Sequence, residues 1–136
     1  MNRILLAEDN RINQVVAAGV LKKLGFEVDI VDDGAAAVTA FVGGSYDAVL
    51  MDVMMPGVDG YQATGLIRKH ESRNGLPAVP IIGLSARAMA GDREIAIESG
   101  MNDYLTKPVR TDELAGALGY WIADEADATQ VLQLAT

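Results

Sequence analysis

Five times along this chain a short apolar run stops at a polar residue and gives way to a helix-like stretch, and that alternation constrains the fold more than any other feature. Arg3 to Ala7 stops at Glu8-Asp9, Ala48 to Met51 at Asp52, Pro80 to Leu84 at Ser85-Ala86, and Tyr104 to Thr106 at Lys107-Pro108. Glu27 to Val31 alternates in the period of a strand and is broken by Asp32-Asp33-Gly34. Between these runs, Ile12, Val15, Val16, Val20 and Leu24 recur at helical spacing from Arg11 to Leu24. Lys22 and Lys23 suit that helix's last turn, and Gly25 suits its end. Ala35 to Val42 predicts a second helix. Asp59, with Gln62 in a capping-box position, predicts a third running to about Arg73. Asp92 to Ser99 closes at Gly100, and Thr111 caps a last helix with Asp112 and Glu113 in its first turn. Continuous apolar strands are those buried on both faces of a parallel sheet. Strand-helix repeats with right-handed crossovers then predict a doubly wound α/β domain with helices on both faces.

Composition narrows the function. The length of 136 residues suits one domain, and 50% hydrophobic residues suit a packed core. A net charge of -8, from 19 acids against 11 bases, argues against direct binding to nucleic acid, which needs clustered Lys and Arg. The absence of cysteine excludes disulfides and thiolate metal sites. No apolar run approaches the ~20 residues of a membrane span, and an acid arrives at Glu8, too early for a secretion signal. No membrane contact and a cytoplasmic location are expected.

In open α/β sheets, ligands bind outside the carboxyl ends of the strands. Glu8, Asp9, Asp52, Ser85 and Lys107 all fall at such ends and converge on one crevice. Taken singly, Asp9 could cap the first helix, Asp52 and Ser85 could serve turns, and Lys107 could be an ordinary surface lysine. Taken together, three carboxylates repel unless a cation sits among them, and Mg²⁺ suits an all-oxygen site. His70, on a helix away from this edge, is read as a surface residue rather than a ligand. A cation beside a carboxylate, a hydroxyl and a lysine suits phosphoryl transfer. Asp52 would be the nucleophile, Lys107 would neutralise developing charge, and Ser85 would hydrogen-bond a phosphoryl oxygen.

The segments Ile4-Leu5-Leu6-Ala7-Glu8-Asp9-Asn10, Asp52 through Gly60, Leu84-Ser85-Ala86 and Gly100 through Pro108 resemble receiver domains of two-component response regulators. The resemblance covers about residues 3 to 123. It implies a flavodoxin-like strand order 2-1-3-4-5 and a receiver domain over residues 1–125, with residues 126–136 as a tail or the end of the last helix. It implies phosphorylation of Asp52 by a phosphohistidine donor. Asp9 and Asp52 would bind Mg²⁺ directly, with Glu8 acting through water and the Met54 carbonyl as a further ligand. Lys107 would pair with the phosphoryl group, and Pro108 would follow a cis bond. Ser85 and Tyr104 would form a switch pair acting on the surface of helix four, strand five and helix five, which could also form a homodimer. Met54 and Arg87 would flank the phosphate. The stretch Glu8 to Gln14 is most similar to receivers of hybrid sensor kinases. It implies a histidine kinase or histidine phosphotransfer partner docked against helix one. With no helix-turn-helix or basic region after the receiver, a stand-alone receiver or a piece of a larger signalling protein is expected.

Three rivals read differently. A phosphatase with an aspartyl-phosphate intermediate would want an acid two residues after the nucleophile, where Met54 stands. An unphosphorylated interaction module would lack an acid or the lysine. A flavin-binding relative would want a phosphate-cradling loop where Glu8-Asp9-Asn10 stands. Gly83 is unexpected in a buried strand. Gly116 and Gly119 weaken the last helix. Of Tyr120 and Trp121, at least one is expected on the core.

Overall fold

The computed structural model describes residues 2–86 and 89–122, so the expectations for Arg87 and for the tail 126–136 lie outside the described residues. The elements run β1 (Arg3–Ala7), α1 (Arg11–Lys23), β2 (Glu27–Val31), α2 (Gly34–Gly43), β3 (Ala48–Asp52), α3 (Gly60–Arg73), β4 (Ile81–Ser85), α4 (Asp92–Ser99), β5 (Asp103–Thr106) and α5 (Thr111–Trp121). All strand pairs are parallel, in the order β2-β1-β3-β4-β5. The three central strands owe their place to composition. Ile4 to Ala7, Ala48 to Asp52 and Ile81 to Ser85 are buried without interruption, whereas the edge strands β2 and β5 are only partly covered.

Successive side chains along a strand point to opposite faces, and each face has its own core. Ile4, Leu6, Leu50, Ile82 and Leu84 pack with α1 and α5, through Leu21, Leu114 and Leu118. Leu5, Val49, Met51 and Ile81 pack with α2, α3 and α4, through Phe41, Ile67 and Ala96. Each fully buried side chain of this size contributes about 1.5–3 kcal/mol relative to exposure, which ties all the helices to the sheet.

Local chemistry sets the helix ends. Asp33 and Asn10 accept hydrogen bonds from the backbone N–H groups of Ala36 and Asn13, and so start α2 and α1. Asp59 and Gln62 complete the expected capping box. Gly25, just past the α1 cap at Leu24, takes a φ of 93°, the left-handed turn that glycine permits.

Three sequence expectations need correction. The buried face of α1 is Ala17, Ala18 and Leu21, with Leu24 just beyond, while Ile12, Val15 and Val16 are exposed. The cap of α5 is Arg110, not Thr111, and no side chain caps that end. Instead the Arg110 guanidinium pairs with Asp112 and Glu113. Gly83 is a spacing device: a Cβ there would lie 2.6 Å from Met101 Sδ and 3.3 Å from Tyr104 Cδ2. Glycine lets those two side chains close over β4. A Cβ at Gly116 would meet nothing within 4 Å in this chain.

At the β5 edge, Asp103 accepts a hydrogen bond from Trp121 Nε1 at 3.0 Å and pairs with Arg93 at 3.1 Å, which links α5, β5 and α4. Trp121 packs on the core as expected. Tyr120 stacks edge-on against it and stays 78% exposed. No helix among the described residues is long and apolar enough to cross a membrane.

Candidate functional site

The strand order puts β1 and β3 side by side, with β4 next, so their carboxyl ends open onto one crevice. Glu8 and Asp9 leave the end of β1, Asp52 ends β3, Ser85 ends β4 and Lys107 follows β5. One carboxylate oxygen from each of Glu8, Asp9 and Asp52 lies within 4.8 Å of the others. Glu8 and Asp52 are 1% exposed, whereas Asp9 is open to solvent. Asp9 does not cap α1, because Asn10 does. The Lys107 ammonium lies 2.9 Å from Glu8 Oε2 and 3.0 Å from Asp52 Oδ2, bridging the two buried acids. The Lys107–Pro108 peptide bond is cis, as expected.

Asp52 is anchored by its surroundings. Its Oδ1 accepts the Met54 N–H at 3.1 Å. Gly60, the first residue of α3, packs so close that a Cβ there would overlap the Asp52 carbonyl oxygen. Burial pushes the Asp52 carboxyl up to about 6. The Lys107 and Met54 hydrogen bonds pull it down, and the charge of Glu8 adds to the rise. Burial alone would lower the Lys107 ammonium, but its contacts with Glu8 and Asp52 prevail and hold it above its ordinary value. Three acids thus face one lysine, a net negative pocket.

The donor set fits a divalent cation. It is all oxygen, it carries more negative charge than Lys107 neutralises, and Glu8 Oε2 is buried with only the ion pair to Lys107 and no aligned hydrogen bond.

Ser85 is buried beside this cluster, and its carbonyl accepts the Lys107 N–H at 2.7 Å. Tyr104 sits one strand away on β5, half-buried against the second core beside Gly83. The Met54 side chain is 69% exposed at the rim. His70 stands apart on α3, edge-on to Phe41 and hydrogen-bonded to Asn74, away from the acids.

Sequence reasoning missed the partners of Glu8. Asn13 Nδ2 donates to Glu8 Oε1, and Gln14 Nε2 donates to the Glu8 carbonyl. Their only sequence signal was two consecutive amides on the first turn of a helix that starts beside an acid.

An acid cluster bridged by a lysine, at the switch point of a 2-1-3-4-5 sheet, places this molecule among the signalling domains built on that plan. The chain belongs to the response regulator receiver domain family, which it matches over residues 4–119. It is 43% identical over 119 residues to the sensor protein GacS of Pseudomonas syringae pv. syringae, a match that covers 88% of this chain and 13% of that protein. The chain therefore spans about an eighth of that relative's length. The receiver domain of the sensor histidine kinase PA1611 from Pseudomonas aeruginosa, crystallised with a magnesium ion coordinated in its active-site cleft, is 46% identical with a TM-score of 0.81. That match covers 90% of this chain and 98% of that one. A chain from the co-crystal structure of the Saccharomyces cerevisiae phosphotransfer protein Ypd1 with the receiver domain of Ssk1 gives a TM-score of 0.85 at 32% identity, covering 92% and 91%. Sensor-kinase receivers are thus among its relatives, as the Glu8 to Gln14 segment led one to expect.

Proposed function

We propose that this chain is a phosphorelay receiver in which Asp52 accepts a phosphoryl group from a phosphohistidine. The observation that carries the reading is the buried Asp52 carboxylate, joined to Glu8 through Lys107 and within reach of a cation centre shared with Asp9. In the transfer, an Asp52 oxygen bonds to phosphorus as the P–N bond breaks, and the electron pair returns to the imidazole. An ionised carboxylate needs no general base. Asp9, Asp52, the Met54 carbonyl and Glu8 would hold Mg²⁺, which would neutralise charge on the transferring group. Lys107 pairs with the phosphoryl oxygens, and Ser85 donates a hydrogen bond to one of them. Met54, exposed at the rim of the site, tunes water access to the group and so its lifetime.

Phosphorylation draws Ser85 toward the phosphate and turns Tyr104 inward, shifting the α4-β5-α5 surface between two states. That face is the output surface and can also pair with a second copy of the chain. The donor, a histidine kinase or histidine phosphotransfer domain, docks on α1. Support comes from Ile12, Val15 and Val16, which are 73%, 62% and 44% exposed beside the site. An adjoining open groove of about 720 Å³ carries Arg11 and Lys22 on its walls. The chemistry is self-directed: the domain promotes its own phosphorylation and dephosphorylation and turns over no other substrate. The domain occupies residues 1–125, within a cytoplasmic protein or as a protein of its own.

Incubation with a small acyl phosphate and Mg²⁺, read by intact mass, should give one phosphoryl adduct. The adduct should be absent from Asp52→Ala and absent without divalent metal. An adduct that persists in Asp52→Ala moves the acceptor elsewhere.

A further inference from the structure

Glu8 is gripped along its whole length. Its N–H donates to the Val31 carbonyl at 3.0 Å, which fixes the end of β1 to β2. Its carbonyl accepts Gln14 Nε2 at 2.6 Å. Its Oε1 accepts both the Asn10 N–H and Asn13 Nδ2, each at 3.2 Å. Only Oε2 is left facing the acid cluster, beside Lys107. Asn13 is half-buried, and its amide is turned inward onto Glu8.

A carboxylate with one oxygen saturated by two donors can offer a cation, or the cation's water, only the other. Ca²⁺ commonly takes both oxygens of a carboxylate at an irregular, larger site. Mg²⁺ is smaller, octahedral, and takes carboxylates through single oxygens with waters retained. From this geometry we infer that Asn13 is a positioning residue which, together with the Asn10 N–H, occupies Glu8 Oε1, leaves a single carboxylate oxygen toward the cation centre and so favours Mg²⁺ over Ca²⁺. The inference rests on the reading of that centre as a divalent site, and it assigns Asn13 a role apart from partner docking. Partners that orient a metal ligand commonly contribute 10–100-fold to affinity, and here the Asn10 N–H remains to hold Oε1 in part. The lower end of that range applies.

The test is calorimetric titration of the unphosphorylated chain with MgCl₂ and separately with CaCl₂. Asn13→Ala should weaken Mg²⁺ binding about tenfold and Ca²⁺ binding much less, narrowing the preference between them. Asn13→Leu, which keeps the branched shape but donates nothing, should behave alike. In a Glu8→Gln background, Asn13→Ala should add almost nothing, because a residue that acts only through Glu8 has nothing left to orient. An unchanged Mg²⁺ affinity in both Asn13 variants overturns the inference, as does an equal loss with and without the Glu8 carboxylate. A wild-type chain that binds neither ion overturns the divalent-site reading itself, and this inference with it. That result is distinct from a wild-type site that binds Mg²⁺ yet ignores Asn13.

Discussion

Asp52→Asn should make the metal-free protein more stable at neutral pH, even though it deletes the proposed phosphoacceptor. The Asp52 carboxyl is pushed from its ordinary value of 3.8 to about 6, first by burial. A proton is therefore held more tightly in the folded chain than in the unfolded one. The stabilisation this gives is complete below about pH 4 and is lost as pH rises through about 6. A shift of about 2 pH units corresponds to roughly 3 kcal/mol by which the ionised Asp52 burdens the fold above pH 6. Asparagine has the same shape and cannot ionise, so that burden disappears. That burden is already net of the favourable contact with Lys107, whose remaining partner is Glu8 at 2.9 Å. The gain is then about 3 kcal/mol at pH 7.5 and near zero at pH 4. Urea unfolding in the presence of a chelator, across pH 4–8, reads both numbers and the change in slope. A variant no more stable than wild type at pH 7.5, with a pH dependence parallel to it, would refute the claim that burial burdens this carboxylate. Added Mg²⁺ should stabilise wild type more than the variant at pH 7.5, because the cation relieves the same charge.

Lys107→Ala removes the cation between two acids that are each 1% exposed, and the uncompensated pair should cost roughly 3 kcal/mol at pH 8 by urea unfolding. The cost should shrink near pH 5, where a proton can replace the lysine. The same variant should accept some phosphate, by intact mass, with a blunted conformational response. A full response in that variant would remove the lysine from the switching mechanism. Gly83→Ala brings a Cβ to 2.6 Å from Met101 Sδ and should cost about 1–3 kcal/mol. The penalty should be smaller in a Met101→Ala background, as a double-mutant cycle of melting temperatures would register.

Much of this molecule could be read before any coordinates. The unbroken apolar runs of β1, β3 and β4 are what central parallel strands require, and the residues that stop them are the ones that meet in the crevice. An oxygen of Asp9 and one of Asp52 lie within 4.8 Å of each other, so the two acids do meet at one edge of the sheet. Where reading failed, the missing information was tertiary. The stripe Ile12, Val15 and Val16 fits a helical period as well as Ala17, Ala18 and Leu21 do. Only contact with the sheet decides that the smaller residues go inside, where α1 must lie close. Thr111 has the right chemistry for a cap, but the chain enters α5 one residue earlier, at Arg110. Gly83 has no purpose within its own strand and acquires one only from Met101 and Tyr104, which pack above it. The grip of Asn13 and Gln14 on Glu8 depends on how the first turn of α1 folds back over the strand end, which spacing alone does not reveal.

The chain contains one tryptophan, and its indole nitrogen is tied to the carboxylate of Asp103, the immediate neighbour of Tyr104. Its emission therefore reports from a single place, the seam where the last helix rests on the outermost strand. No second indole contributes background. Unlabelled protein carries its own optical gauge of that seam.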